Sequence, residues 1–319
     1  MPSHMRSPSA NGTRSDVIDF VWILIGLVLA AVGGSQFVEG AVGVARVHSL
    51  SVGVVGATLA AFATSSPELA VAVASAIDGR SEIALGDVAG SNVANLGLIL
   101  GLAVIARPLF VAKAELKRDL PWGAVSVIVV SVMILDGRLQ RVEAVVLLLV
   151  FVAWLSRVLA RPVSLTIDEV TESRRKVWIR VGFGLSALVV AGRAVVVGAE
   201  GVGDRFGWSD FVVGALLVAV ATSTPELVTV LVSVRRGHTD LGVGTLVGSN
   251  IFNTMFIVGV ASSISEIDVD GSAVGVTLLL GALACVLMWP WRGSRLGRWQ
   301  GGILVGVFVA HLVATASIG

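Results

Sequence analysis

Cysteine is almost missing from this 319-residue chain: Cys285 stands alone, which excludes an internal disulfide and any thiolate metal cluster. Tyrosine is absent, and the four histidines, His4, His48, His238 and His311, fall in a tail, in loops or singly in an apolar run. No Ser-His pair or zinc set can be assembled from them, which argues against a hydrolase. Charge is scarce as well: 14% of residues are Asp, Glu, Lys or Arg, against about 25% in soluble domains. The net charge of +1 comes without a basic tract interleaved with aromatics, so nothing points to nucleic acid. Residues 1–15 lack a short apolar core followed by a small-residue cleavage site, and are expected to form a disordered polar tail.

Apolar residues and glycine are abundant. Hydrophobic residues make up 55% of the chain, mean hydropathy is +0.91, and there are 37 glycines, which suits closely packed membrane helices. Apolar stretches long enough to span a bilayer fall at about 18–45, 51–77, 82–105, 120–136, 142–160, 178–202, 209–234, 241–264, 271–290 and 300–317. The longest polar break, Arg161 to Lys176, divides these ten into five and five. The expected architecture is an all-α polytopic membrane protein of ten transmembrane helices, with a first five-helix repeat at 16–160, a cytoplasmic linker at 161–177 and a second repeat at 178–319. An odd number of spans makes the second repeat enter the membrane from the opposite side, so the two are inverted. With the amino terminus outside, 16 of the 23 Lys and Arg residues lie in cytoplasmic loops. The positive-inside rule then places both termini outside the cell membrane.

The chain repeats one motif. Ala63-Thr64-Ser65-Ser66-Pro67-Glu68-Leu69 returns as Ala221-Thr222-Ser223-Thr224-Pro225-Glu226-Leu227, and Gly90-Ser91-Asn92 with Asn95 returns as Gly248-Ser249-Asn250 with Asn253, always 158 positions later. Between residues 56–102 and 214–260, 19 of 47 positions are identical. Each copy sets a glutamate inside an apolar span, where an ionisable side chain marks a functional site by default. Pro67 and Pro225 remove a backbone donor and interrupt their helices, which is expected to free the carbonyls of Ala61, Thr64, Ala219 and Thr222. Thr64, Ser65 and Glu68 lie within about one turn, and Ser91 and Asn95, like Ser249 and Asn253, are four apart and share a face. Together these groups offer only oxygen ligands, which suit Ca²⁺, Mg²⁺, Mn²⁺ or Na⁺ and disfavour zinc and copper.

These paired motifs resemble the two repeats of the cation/calcium exchanger superfamily, the prokaryotic sodium/calcium exchanger branch fitting best, over nearly the whole chain. The resemblance implies Na⁺/Ca²⁺ antiport by alternating access at a shared midplane site, with Ca²⁺ and Na⁺ as transported ions, the lipid bilayer as surroundings and no cofactor. It further implies that Glu68 and Glu226 are the central Ca²⁺ ligands, assisted by the Thr64 and Thr222 carbonyls. Ser65, Ser91 and the Ala61 carbonyl would form one Na⁺ position. Ser223, Ser249 and the Ala219 carbonyl would form its counterpart, with Asn95 and Asn253 completing the middle. Spans 1 and 6, rich in glycine, would move against the other eight. Two positions depart from the family pattern, where Asn is common: Asp87 adds a third acid, expected near the mouth of the site, and Thr245 stands at its repeat-related position. A proton-coupled exchanger of Ca²⁺ or another divalent cation is the alternative, and an ion channel the more distant one. Glu39 and Glu200 are expected at span ends, Arg193 lies inside a span without an evident partner, and Lys113 to Asp119 form a mixed-charge loop.

Overall fold

Pro67 and Pro225 have no N–H to donate, and each follows a break in its helix. Both breaks fall two residues earlier, at Ser65 (φ −85°, ψ 12°) and Ser223 (φ −75°, ψ 4°), so each proline begins the next helix, where its missing donor is not needed. The computed structural model describes residues 10–48, 50–110, 120–160, 173–203, 209–269, 271–291 and 295–318. Its helices are α1 (Ala10–Val47), α2 (Val52–Thr64), α3 (Ser66–Ile77), α4 (Ser81–Ala106), α5 (Leu120–Asp136) and α6 (Arg141–Leu159). After these come α7 (Arg174–Gly203), α8 (Phe211–Thr222), α9 (Thr224–Arg235), α10 (Thr239–Ile264), α11 (Gly271–Leu287) and α12 (Arg298–Ile318). The pairs α2–α3 and α8–α9 bend by 44° and 40°. By length and composition, α4, α6, α10 and α12 can each cross a membrane, and each bent pair can do so as one span.

Helix α1 begins at Ala10, inside the expected disordered tail, because extending an existing helix is far cheaper than nucleating one. Residues 161–172 of the expected linker, the loop at 111–119 and the side chains of Arg193 and Glu200 lie outside the described residues.

Burial sorts the helices. The most apolar windows of α4 and α10 are 83% and 89% buried, whereas those of α6 and α12 are 28% and 33% buried, so the first two form the centre and the others lie at the outside. The outer faces carry exposed Val145, Leu149 and Val152 on α6, and Ile303, Val309 and Val313 on α12. The central helices cross between halves. A Cβ on Gly90 of α4 would overlap the Ala215 carbonyl of α8, and one on Gly248 of α10 would overlap the Ala57 carbonyl of α2. Glycine at those two positions brings the backbones into contact.

Helices α1 and α7 form a layer whose core, including Phe37, Val38, Ala41, Val177, Val181 and Leu188, also takes in Val55, Ala60 and Ala63 of α2 and Leu241 of α10. Their seam is glycine-lined: a Cβ on Gly40 would come 2.7 Å from the Val181 nitrogen, and one on Gly184 would come 2.5 Å from the Phe37 nitrogen. At one end of this layer, Glu39 of α1 pairs with Arg180 of α7 at 3.2 Å and with Arg236, in the α9–α10 turn, at 2.7 Å. The span-end position expected for Glu39 is therefore filled by an ion-pair network.

Two short antiparallel ribbons join the halves. Strand β1 (Leu109–Phe110) pairs with β4 (Arg295–Leu296), and β2 (Arg138–Leu139) pairs with β3 (Ile267–Asp268). Leu109 faces Leu296, and Ile267 faces Leu139. Leu109 and Ile267 keep the 158-residue spacing, whereas Leu139 and Leu296 are one residue closer. One ribbon is thus the other with its halves exchanged. The turns repeat too: Gly79 (φ 75°) ends α3 and Gly237 (φ 81°) ends α9, both left-handed positions that glycine occupies without a Cβ penalty.

Candidate cation site

The broken helices set the acids. Glu68 and Glu226 lie in the first turns of the twelve-residue helices α3 and α9, where unpaired N–H groups and the helix dipole favour negative charge. Both are fully buried. A buried carboxylate is costly unless paired, so its hydrogen-bond partners decide its chemistry.

Glu226 Oε1 accepts from Ser65 Oγ at 2.9 Å and from Ser249 Oγ at 3.4 Å, while its Oε2 has no partner. Neither oxygen of Glu68 has one. Asp87 is fully buried rather than at a mouth: it lies one turn before Ser91 on α4, which packs directly on α8. Its Oδ1 accepts from Thr222 Oγ1 at 2.9 Å and from Ser91 Oγ at 3.4 Å, and its Oδ2 has no partner. Glu226 and Asp87 are close enough for their charges to act on Glu68.

Four asparagines form the middle. Asn95 donates to Asn250 Oδ1 at 2.9 Å, Asn253 to Asn92 Oδ1 at 3.4 Å, and Asn250 to the Asn92 carbonyl at 3.2 Å. Asn92 donates in turn to Thr254 Oγ1 at 2.6 Å. With their amide nitrogens engaged, Asn95 and Asn253 keep buried Oδ1 atoms without donors, and Ser223 Oγ is likewise unpartnered. Among the described residues, eight buried side-chain oxygens thus lack a hydrogen bond: two on Glu68, one each on Asp87, Glu226, Asn95, Asn253 and Ser223, and Thr229 Oγ1, one turn beyond Glu226 on α9. Native interiors satisfy nearly all such groups, so a cluster of bare acceptors calls for a cation.

Ser65 and Ser249 meet at Glu226, and Ser91 meets Thr222 and the Ala219 carbonyl, but two details differ from the expectation. The serines group across the halves: Ser91 Oγ lies 3.3 Å from the Ala219 carbonyl and 3.4 Å from Thr222 Oγ1, and Ser65 joins Ser249 at Glu226. Grouping of Ser65, Ser91 and Ala61 on one side is not seen, because α4 packs on α8 and α10 on α2. Nor are the Ala61 and Ala219 carbonyls freed, since they accept from the Ser65 and Ser223 N–H groups at 3.0 and 3.1 Å. Each retains a second lone pair, and the Ala219 carbonyl competes with Asp87 Oδ1 for the single proton of the Ser91 hydroxyl, at 3.3 and 3.4 Å. Thr64 Oγ1 turns to the Ala60 carbonyl at 3.0 Å and the Ala61 carbonyl at 3.5 Å.

Sequence reasoning missed Asn92 and Asn250 as the clamps that orient the ligand amides, although both stand in the repeated Gly-Ser-Asn motif. It also missed four π-helical segments, Gly56–Ala60, Ala94–Leu100, Gly214–Val218 and Phe252–Ile257, which flank the site. Such wide turns often mark functional positions, and no residue type announces them. His311 is not solitary: it contacts the Ala215 carbonyl at 3.3 Å and Thr315 Oγ1 at 3.1 Å. Among the described residues, no three His, Cys, Asp or Glu side chains form a metal-holding group. A cation here would depend on hydroxyl, amide and carbonyl oxygens as much as on carboxylates.

Comparison with known proteins fits this oxygen-lined centre. A family model described as "Sodium/calcium exchanger protein" matches residues 18–160 and 176–316. The putative antiporter CaxA of Alkalimonas amylolytica is 30% identical over 309 residues, covering 91% of this chain and 96% of that protein. The sodium/calcium exchanger MaX1 of Methanosarcina acetivorans is 28% identical over 344 residues, covering 93% and 98%. A solved structure of the sodium-calcium exchanger NCX_Mj, soaked with Na⁺ and Sr²⁺, superposes with a TM-score of 0.81 at 28% identity, covering 94% of this chain and 99% of that one.

Proposed function

Because the chain belongs to the sodium/calcium exchanger family, we propose that it exchanges Na⁺ for Ca²⁺ at one site built around Glu68 and Glu226. Membership makes it a membrane secondary transporter and not an enzyme. The observation that carries the finer reading is the pair of fully buried glutamates at the starts of two broken helices, with bare oxygens around them. Two carboxylates neutralise one Ca²⁺ or two Na⁺. Ions that need the same oxygens cannot load together, and this competition couples the two fluxes.

In this reading Glu68 and Glu226 bind Ca²⁺ with the Thr64 and Thr222 carbonyls. Na⁺ occupies flanking positions: Ser91 with the Ala219 carbonyl on one side, and Ser249, Ser65 and the Ala61 carbonyl on the other. Ser223, Asn95 and Asn253 complete the shell. The ten spans form two inverted repeats, a reading supported by the exchanged ribbons. The ends also sort as inversion requires: Glu39 and Arg180 tie α1 and α7 to Arg236 in the α9–α10 turn at one end, and Ser81 reaches the Glu266 carbonyl at the other, at 3.1 Å. The end bearing Arg46, Arg180, Arg235 and Arg236 faces the cytoplasm of a cell membrane. Access alternates as α1 and α7, held to each other by their close glycine seam, move as a unit along the rest.

Uptake of ⁴⁵Ca²⁺ into proteoliposomes tests this. Uptake from Na⁺-loaded vesicles, lost in Glu68→Gln and Glu226→Gln, is the expected result. Uptake driven instead by a proton gradient in Na⁺-free medium would replace the coupling ion, and Na⁺-driven uptake surviving in both variants would overturn the site.

A further inference from the structure

Asp87 breaks the repeat. We propose that it acts as a third anionic ligand, holding a monovalent cation between its carboxylate, Ser91 Oγ, Thr222 Oγ1 and the Ala219 carbonyl, so that the two flanking positions bind Na⁺ unequally. This rests on the exchange reading above and adds the residue that sets its ion preference.

All four oxygen sources lie within contact of one another: Asp87 Oδ1 to Thr222 Oγ1 at 2.9 Å and to Ser91 Oγ at 3.4 Å, and Ser91 Oγ to the Ala219 carbonyl at 3.3 Å. Asp87, Ser91 and Thr222 are fully buried, and Asp87 Oδ2 has no hydrogen-bond partner. The cluster contains no nitrogen or sulfur ligand, as a hard cation prefers.

The mirror cluster has no acid at the position that matches Asp87. At the repeat-related positions stand Thr245, Ser249, Thr64 and Ala61. Thr64 and Thr222 alike lie against carbonyls of their own helices, at 3.0 Å from Ala60 and 3.0 Å from Val218, so the difference rests on Thr245, whose Oγ1 donates to the Leu241 carbonyl at 2.7 Å, while Ser249 leans on Glu226. The backbone repeats while this extra carboxylate does not, so one flank has an acid of its own, whereas the other has only Glu226, which touches Ser65 and Ser249 and is shared with the central Ca²⁺ position. The charge count follows. With three carboxylates, one Ca²⁺ leaves the site with a net negative charge, whereas three monovalent cations balance it.

A purely structural role would be that of an acceptor tying α4 to α8. Asparagine retains that role, since its Oδ1 accepts from Thr222 and Ser91 as the carboxylate does. Asp87→Asn therefore isolates the charge. The experiment measures Na⁺-driven ⁴⁵Ca²⁺ flux against Na⁺ concentration, and Ca²⁺/Ca²⁺ exchange against Ca²⁺ in Na⁺-free medium, in proteoliposomes. The expected result for Asp87→Asn is a Na⁺ half-saturation raised about tenfold with a shallower Na⁺ slope, while Ca²⁺ half-saturation shifts less than about twofold. Unchanged Na⁺ dependence, or equal shifts for both ions, overturns the proposal. Should Asp87→Asn not fold, Thr245→Asp in the otherwise unaltered chain tests the same claim. Placing charge on the mirror flank should lower Na⁺ half-saturation severalfold, and no change overturns it. Failure of the exchange reading is separate: it would appear as ⁴⁵Ca²⁺ uptake by the unaltered protein that does not depend on a Na⁺ gradient.

Discussion

Glu226 accepts hydrogen bonds from Ser65 and Ser249, whereas Glu68, at the matching place in the first half, accepts none, although both are fully buried. The helices around them are near copies, with bends of 44° and 40° and prolines in the same place. Duplicated backbone thus need not mean duplicated electrostatics. Glu68 has no hydrogen bond to surrender when a cation arrives, while Glu226 must exchange one set of partners for another. The first half also contributes Asp87, where the second has Thr245.

Removing either glutamate's charge should have the largest effect. Neutralising one side of a buried charge pair costs about 2–5 kcal/mol, so Glu68→Gln and Glu226→Gln should each weaken Ca²⁺ half-saturation by roughly 100-fold or more in the flux assay. A residue-specific difference would sharpen the comparison, the Glu226 variant keeping its serine partners and therefore the more stable fold. The scaffold should respond symmetrically. Gly90→Ala and Gly248→Ala each force a methyl group into a facing carbonyl and should each lower stability by about 1–3 kcal/mol in detergent melts. A large difference between them would show that the two crossings are not mechanical equals.

The serines should respond unequally. Ser65→Ala removes a donor to a buried carboxylate and should cost about 2 kcal/mol of ion-free stability, whereas Ser223→Ala, whose hydroxyl has no partner, should stay within about 0.5 kcal/mol. Equal losses would remove the asymmetry from the unloaded site. The smallest effect belongs to the rim. His238 lies between α9 and α10, where burial, then Arg46 and Arg236, hold its imidazole below its ordinary range. The folded state therefore binds fewer protons than the unfolded one, so the stability is complete above about pH 6.5 and declines as pH falls below it. His238→Gln should flatten a slight fall in melting temperature below that pH.

Much of the site was legible because its signals are local. A proline after small hydroxyl residues marks a broken helix, and an apolar span marks a glutamate as costly wherever the chain then goes. The 158-residue offset coupled Glu68 to Glu226 before any packing was known. What stayed hidden depends on packing. Which serine meets which carbonyl follows from α4 lying on α8, a contact set by Gly90 against Ala215. The depth of Asp87 follows from the same contact. The π-turns carry no characteristic residue, and the break falls at Ser65 and Ser223 because a proline fits a helix start better than a helix middle.

The crossing of the central helices also governs how the protein is made. Helix α4 carries Asp87, Ser91, Asn92 and Asn95, and their partners Thr222, Asn250 and Thr254 belong to segments synthesised more than a hundred residues later. The half that leaves the ribosome first therefore holds an incomplete polar seam that its own helices cannot close. Insertion must keep α4 away from lipid, in the company of water or the insertion machinery, until α8 and α10 arrive. The two halves are in this sense each other's last folding step, and a first half expressed alone should be retained and degraded, whereas co-expression of both as separate chains should rescue it.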